Sequence, residues 1–402
     1  MPKYRFPEFT TSGSVVCENG NMIFKPVNNK NHSSELPVLA ISQEYGAIPR
    51  DMIDYNVSVS EKSLESYKVV EKGDFIISLR SFQGGIEYST YNGICSPAYI
   101  ILRKKVDVDE QYYKFYFKLN RFIQDLNRDL EGIRDGKMVS YNQFSDILLP
   151  KPDKGEQEKI ADCLSSIDVL ISAEDKKLSA LKDHKKGLMQ KLFPAEGKTV
   201  PEWRFPEFRD CDKWIEKKLG AFADVLMCKR IFSNETNEKK GVPFYKISTI
   251  GAKADAFISK ELFDEYKSKY NYPKKGEVLL TCSGTVGKCL AYDGKDAYYQ
   301  DSNIVWIDNP TQELSNQLLL NLLRNVNWER LNTTTITRIY GSDLRNLILV
   351  FPQDPNEQQK ITDFLSSVDE LITAQAEKVE ALKKHKKGLA QGLFPSIEEV
   401  IR

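Results

Sequence analysis

The segment Glu156–Pro194, EQEKIADCLSSIDVLISAEDKKLSALKDHKKGLMQKLFP, decides how this chain is organised, because it occurs twice. The second copy, Glu357–Pro395, reads EQQKITDFLSSVDELITAQAEKVEALKKHKKGLAQGLFP, at a constant offset of 201 residues that pairs His184 with His385. Aligned without gaps, about 25 of 39 positions are identical, far beyond what shared composition gives.

Each copy predicts one long helix. Isoleucine and leucine fall at Ile160, Leu164, Ile167, Ile171, Leu178, Leu181, Leu188 and Leu192, in steps of four and three that make an a/d heptad seam. The second copy repeats the seam as Ile361, Leu365, Val368, Ile372, Val379, Leu382, Leu389 and Leu393. The interruptions recur too, at Glu174 and Lys185 in one copy and Gln375 and Lys386 in the other. Polar residues inside a seam cost stability but fix register and partner. Asp153 and Asp354 are placed to cap the two helices, each with a glutamate three residues on (Glu156, Glu357), a carboxylate version of the capping box. Pro355 suits a first helical position, and Pro194 and Pro395 end the pattern.

At about 1.5 Å per residue such a helix is roughly 55–60 Å long, and alone it leaves its seam in water. The obvious partner is the other copy. About 1.5–3 kcal/mol per well-buried seam residue makes that pairing strong.

The 402 residues suggest two or three domains. With 57 basic and 57 acidic residues the net charge is zero, so no global field announces a nucleic-acid partner, although cations can still cluster on one face. The seven cysteines (Cys17, Cys95, Cys163, Cys211, Cys228, Cys282, Cys289) form no CxxC pair and read as free cytosolic thiols. Three histidines in all, His32, His184 and His385, argue against a zinc site or a histidine-based triad. No apolar run is long enough to span a membrane, and MPKYRF does not read as a targeting signal.

The duplication extends beyond the helices. YRFPEF (Tyr4–Phe9) recurs as WRFPEF (Trp203–Phe208), and ILLPKP (Ile147–Pro152) has its counterpart in LILVFP (Leu347–Pro352). Each half is thus an aromatic lead-in, a globular region and a long helix. The globular regions, about residues 10–150 and 209–350, are far less alike. The first holds strand-like PVLAIS (Pro37–Ser42), GDFIISLR (Gly73–Arg80) and NGICSPAYIILR (Asn92–Arg103), a turn at Gly84-Gly85, and a helical stretch over about Asp109–Leu130 whose aromatics read as core. The second holds VPFYKIS (Val242–Ser248), GEVLLTCSGTVGKCLAY (Gly276–Tyr292), SNIVWID (Ser302–Asp308) and a helix over about Gln312–Arg324. Both are mixed α/β. A constant frame with divergent heads suggests two recognition modules on one spacer.

Catalytic signatures are missing. GTVGK (Gly284–Lys288) falls short of a phosphate loop, and Cys289 follows its lysine, so it reads as a hairpin turn. Pro152-Asp153 followed by Gln157-Glu158-Lys159 is too tightly spaced for a metal nuclease and reads as a helix start. No glycine-rich S-adenosylmethionine loop is present, Asn309-Pro310-Thr311 does not match the tetrapeptide of amino-methyltransferases, and no nucleophile–base pair stands out. No metal site is expected.

Two variable regions, each followed by a helix beginning EQ-x-KI and ending HKKGL-x-Q-x-LFP, resemble the specificity subunit of type I restriction–modification systems. The RFPEF lead-ins, GEVLLTCSGTVGK, TTTITRIYGSDLRNLILVFP, PVLAIS, GDFIISLR and NGICSPAYIILR fit that resemblance, which covers essentially the whole chain. The first half lacks a clear counterpart of WIEKKLGAF (Trp214–Phe222). The resemblance implies an α+β fold of two mixed α/β target-recognition domains separated by two long antiparallel coiled-coil helices, a pseudo-two-fold internal repeat. The expected boundaries are 1–152 and 196–352 for the recognition domains, and 153–195 and 353–402 for the spacer helices.

It further implies a non-catalytic subunit. Each domain reads one half of an asymmetric bipartite site in double-stranded DNA, and the helices set the gap and dock two modification subunits. Two restriction subunits can join them. S-adenosylmethionine, ATP and magnesium then belong to the partners, none to this chain, and the setting is cytoplasmic. The symmetry argument agrees: two related units on an antiparallel helix pair match the two-fold axis of duplex DNA.

Readout needs donors and acceptors near base edges and cations on phosphates. In the first region the candidates are Arg80, Ser81, Gln83 and Tyr88, then Ser42, Gln43 and Tyr45, then Arg134, Lys137 and Tyr141. In the second they are Lys246, Ser248 and Thr249, then Ser283, Thr285 and Lys288, then Thr333, Thr334, Thr335 and Arg338. The lysine runs around His184 and His385 read as a solvated helix face or a partner-docking surface. Two competing readings are a two-headed protein–protein scaffold and a methyltransferase or nuclease acting on its own.

Overall fold

Both copies of the repeat fold as unbroken 39-residue helices, Lys154–Leu192 and Pro355–Leu393. The computed structural model describes residues 2–32, 35–53, 64–128, 139–328 and 338–395. The chain divides into two compact units, one of Met1–Lys176 with Ala376–Arg402 and one of Lys177–Gln375. Each unit therefore owns one globular head and half of each long helix.

In the first unit the start of the central helix packs against the end of the C-terminal helix. Ile160, Ala161 and Leu164 share a core with Leu389, Leu393 and Phe394. Farther along, Lys386 donates to both carboxylate oxygens of Asp168 (2.5 and 2.7 Å), and Lys378 reaches Glu174 at 2.6 Å. Partner numbers fall as the helix number rises, so the two stretches run antiparallel. The second unit repeats the scheme with the helices exchanged. Leu188, Met189, Leu192 and Phe193 pack with Ile361, Phe364 and Leu365, and Lys185 donates to both oxygens of Asp369 (2.6 and 2.7 Å).

Seam residues Ile160, Leu164, Ile361, Leu365, Val368 and Val379 are buried. Ile167, Ile171, Leu178, Leu181, Ile372 and Leu382 are half-buried. The seam interruptions are occupied by interhelical contacts: Lys185 and Lys386 each carry an ion pair, Glu174 takes Lys378, and Gln375 is buried.

The helix starts differ from the predicted capping box. Asp354 does cap, its Oδ1 accepting the Asn356 N–H at 2.8 Å. Glu156 and Glu357 do other work. Glu156 is buried and accepts from Arg5 Nε and Nη2 at 2.8 Å each. Glu357 accepts from Arg204 at 2.7 Å twice, and from Trp214 Nε1 at 3.1 Å. The same arginines donate to the backbone carbonyls of Ser12 and Gly13, and of Cys211 and Asp212. The R of RFPEF thus staples the lead-in to the helix start. The glutamine after each glutamate finishes the joint. Gln157 accepts from the Asp109 N–H and donates to Pro152 O, while Gln358 accepts from the Ser315 N–H and donates to Pro352 O.

In both heads the strand before the long helix pairs antiparallel with the first strand: Val16–Asn19 with Leu148–Lys151, and Ile215–Lys218 with Ile348–Phe351. VCEN is therefore the counterpart of IEKK that the sequence comparison did not find. Strand pairing uses backbone groups, so side-chain identity can be lost while the ladder persists.

Each head is built on a four-stranded antiparallel sheet of one order. In the first it is Phe24–Val27, Ile100–Lys104, Phe75–Ile77, Glu87–Tyr88. In the second it is Asp224–Leu226, Ile304–Asp308, Val278–Thr281, Cys289–Ala291. GTVGK is the hairpin turn between the last two adjacent strands, with Gly284 and Gly287 at φ of 65° and 83°. The second head adds another four-stranded sheet, Thr236–Asn237, Ala256–Ile258, Val242–Tyr245 and Tyr298–Tyr299, while the first adds the two-stranded pairs Leu39–Ser42 with Gly46–Pro49 and Lys68–Val70 with Gly93–Cys95.

NGICSPAYIILR is two strands, Gly93–Cys95 and Ile100–Lys104, broken by Ser96-Pro97, since proline lacks the N–H that a ladder needs. The aromatic stretch is two helices, Glu110–Tyr116 and Asn120–Asn127. Tyr112, Tyr113, Tyr116, Phe117 and Phe122 are buried against Phe24 and Phe75 in the core. The second head's helix starts at Asn316 behind a Ser315 cap, four residues later than expected from the sequence.

Candidate nucleic-acid interface

In the first unit, two turns at the ends of strands come together. Ser42 Oγ accepts the N–H groups of Glu44 and Tyr45 and shapes the turn into Gly46–Pro49. Gln43 Nε2 donates to the Arg80 carbonyl at 3.1 Å, and its side chain lies where a Cβ on Gly84 would stand. This leaves Tyr45, Arg80 and Gln83 exposed around one loop pair. Gly85 has φ 81°, and a Cβ there would strike the Phe117 carbonyl, so glycine is required.

Other candidates in this unit have structural partners. Ser81 is buried, and its Oγ accepts the Ser78 N–H at 2.9 Å. Tyr88 is buried against Phe75, with its OH accepting from Gln111 at 2.8 Å. Tyr141 donates to Phe24 O and packs on Phe144. Arg134 and Lys137 lie outside the described residues.

In the second unit the GTVGK turn, the segment Gln300–Asn303 and the residues around Arg338 converge. Ser283 Oγ donates to Asn303 Oδ1 at 2.6 Å, and Ser283 forms an isolated antiparallel bridge with Arg338. Arg338 stacks over the exposed Tyr340 ring at 5.6 Å, and its buried Nε has no hydrogen-bond partner among the described residues. Thr285 and Ser248 are exposed. Lys288 Nζ donates to Ile250 O, and Thr249 Oγ1 accepts the Lys246 N–H, so both brace the turn after Val242–Tyr245. Lys246 itself pairs with Asp255 at 2.9 Å. Thr333, Thr334 and Thr335 lie outside the described residues.

Beside this cluster is a cavity of about 440 Å³ lined by Arg230, Phe232, Lys246, Gln300, Asp301 and Asn303 among others. Phe232 is 58% exposed at its lip, and Arg230 pairs with Asp301 at 2.9 Å. Sequence reasoning missed Arg230, Phe232, Gln300 and Asn303. CKRIF (Cys228–Phe232), two cations followed by an apolar residue outside any strand, was the available signal.

Burial pushes the Cys95, Cys228, Cys282 and Cys289 thiols up to about 12, which leaves them protonated and inert at neutral pH. Burial also raises Glu87, against the opposing pull of Lys118. No group of three or more metal-ligating side chains is found among the described residues, and no helix there is long and apolar enough to cross a membrane.

Comparison with known proteins agrees with the architecture. The family model for the type I restriction modification DNA specificity domain matches twice, over residues 10–183 and 211–384. A putative type I restriction enzyme specificity subunit of Haemophilus influenzae is 42% identical over 165 residues, which is 41% of this chain and 42% of that protein. A type I restriction enzyme specificity subunit of Methanocaldococcus jannaschii is 26% identical over 341 residues, 79% of this chain and 77% of its own length. Among solved structures, the type I restriction–modification S subunit from M. genitalium aligns over 99% of this chain and 100% of its own, with TM-score 0.55 at 13% identity. A chain from a type I restriction–modification system studied for its complex assembly aligns over 98% and 99%, with TM-score 0.61 at 18% identity. These low-identity likenesses establish a shared fold. The doubled family match covers most of the sequence, and on that ground the chain belongs to the type I restriction–modification DNA specificity family, as a non-catalytic sequence-recognition subunit.

Proposed function

We propose that each head, about residues 1–152 and 196–352, reads one half of an asymmetric, bipartite site in double-stranded DNA. In this reading the helices, residues 153–195 and 353–402, set the gap between the halves and dock two modification subunits that carry S-adenosylmethionine. Where restriction subunits exist, two of them add ATP- and magnesium-dependent chemistry, and the assembly works in the cytoplasm. In the first head Arg80, Gln83, Gln43 and Tyr45 are the contacting set, with Ser42 shaping their turn. In the second they are Lys246, Ser248, Ser283, Thr285 and Arg338.

The observation that carries this reading is the contrast between frame and heads. Ion pairs, arginine staples and glutamine joints recur at equivalent positions, while the loops of the heads do not. Some of the repeated identity is on exposed residues: His184 and His385, Lys186 and Lys387, Gln190 and Gln391. Packing within the chain does not demand those side chains. Two copies of one partner, bound at equivalent surfaces, would. In the first unit a broad groove of about 840 Å³ lies along this face, lined by Lys384, His385, Gly388 and Gln391 together with Lys3 and Tyr4.

Methylome sequencing of the host, with the chain present and deleted, tests the proposal. One methylated motif with two unlike halves and a fixed gap should vanish on deletion. A contiguous motif, or none lost, would refute it.

A further inference from the structure

The cavity in the second unit contains an unusual amide. Gln300 directly follows Tyr298–Tyr299 and opens the turn to Ile304, and its backbone N–H donates to Tyr245 O at 2.9 Å, which fixes the residue at the cavity wall. Its Oε1 is buried and has no hydrogen-bond partner among the described residues. An amide oxygen left without a donor is unfavourable, and rotation of the partly exposed Gln300 side chain into the cavity it lines brings that oxygen within reach of a ligand's donor. The following turn is held tightly. Ser302 adopts φ 55°, which a serine takes at a cost, and the Asn303 N–H donates to Asp301 O at 2.6 Å.

The rim suits a nucleic acid. Arg230 and Lys246 flank the opening, each tied to a carboxylate by a solvent-exposed ion pair that a phosphate can replace at little cost. Phe232 offers an exposed apolar face to a sugar, a thymine methyl or a base step. A carboxamide carries a donor and an acceptor side by side. In the major groove that pair complements adenine, whose N7 accepts and whose N6 donates.

We propose that Gln300 is a specificity-determining residue that reads an adenine edge in the half-site bound by residues 177–375, with Arg230 and Lys246 on the flanking phosphates. This rests on the DNA-reading function proposed above and assigns part of that readout to one side chain.

The test uses the chain co-expressed with its modification subunits. Duplexes carrying 7-deazaadenine at one adenine at a time remove a single acceptor from the DNA and leave the protein untouched. Binding should fall roughly five- to hundredfold at one adenine of that half-site, the range for a good bidentate contact. Gln300→Ala should abolish that sensitivity and leave the adenines of the other half as they were. Gln300→Glu should shift the preference at the same position toward cytosine, whose N4 donates to a carboxylate. The proposal is overturned if no adenine of the half-site is sensitive, or if Gln300→Ala keeps the same sensitivity. Should the Gln300→Ala complex not assemble, the Gln300→Glu complex decides: an unchanged adenine preference at the sensitive position overturns the proposal, and a shift toward cytosine supports it. A wild-type complex that binds no bipartite site defeats the underlying reading instead, and the two failures are therefore distinct.

Discussion

Glu357 is a carboxylate 1% exposed and paired with one guanidinium, so its burial is tolerable while Arg204 is in place. The Glu357 hydrogen bond and charge raise the Arg204 pKa. Removing one partner of such a pair leaves an uncompensated buried charge and costs about 3–5 kcal/mol. Arg204→Met should therefore lower the unfolding free energy of residues 177–375, read from urea denaturation, by that amount. A loss under about 1 kcal/mol would show that the staple is dispensable. The thiols give a second check at this scale. Iodoacetamide at pH 8 should label exposed Cys211 and spare buried Cys95, Cys228, Cys282 and Cys289, whose pKa near 12 leaves about one thiolate in ten thousand. These cysteines hold protons in the fold that the unfolded chain releases above its ordinary value of 9.0, so their contribution to stability declines as pH rises from there.

Among the elements, the helices were the most legible part of the sequence. A heptad seam over 39 residues leaves little room for another reading, and the duplication supplied the partner. Proline at Leu181 or Leu382, in the middle of these helices, should cost about 3 kcal/mol or more and abolish binding to the joined half-sites. Retained binding at the native spacing would break the link between helix and gap. The ion pairs at the seam interruptions are modest by comparison. Asp168 and Asp369 are about 44% exposed, so each pair contributes at most about 1 kcal/mol and acts mainly on register. Less was legible in the heads. VCEN hid its equivalence to IEKK, because a ladder constrains backbone and leaves side chains free. Ser81 follows the strand Phe75–Ile77 and Tyr88 lies in the next, Glu87–Tyr88, yet both side chains turn inward, and sequence order does not record that direction. Gln300 gave no signal, since the significance of an amide depends on the cavity around it.

At the scale of the whole chain, the frame is repeated chemistry. Lys185–Asp369 maps onto Lys386–Asp168, and Arg5–Glu156 maps onto Arg204–Glu357. If the helices set the gap, one heptad inserted near the middle of each preserves the seam and lengthens the frame by about 10 Å. That corresponds to roughly three base pairs at about 3.4 Å each. The methylated motif should keep both halves and gain that spacing. An unchanged gap would place the ruler elsewhere.

The backbone N–H of Tyr4 donates to the Gly392 carbonyl at 2.9 Å, and Phe394 packs on Tyr112. A ribosome making this polypeptide therefore releases the first head long before the residues that finish it. Completion must wait until Gly392 and Phe394 have been made, while residues 177–375 already have all their own parts. A chain stopped after Gln375 should lose the melting transition and protease resistance of the earlier head and keep those of the later one, so removing residues after 375 is felt by a head made some two hundred residues earlier.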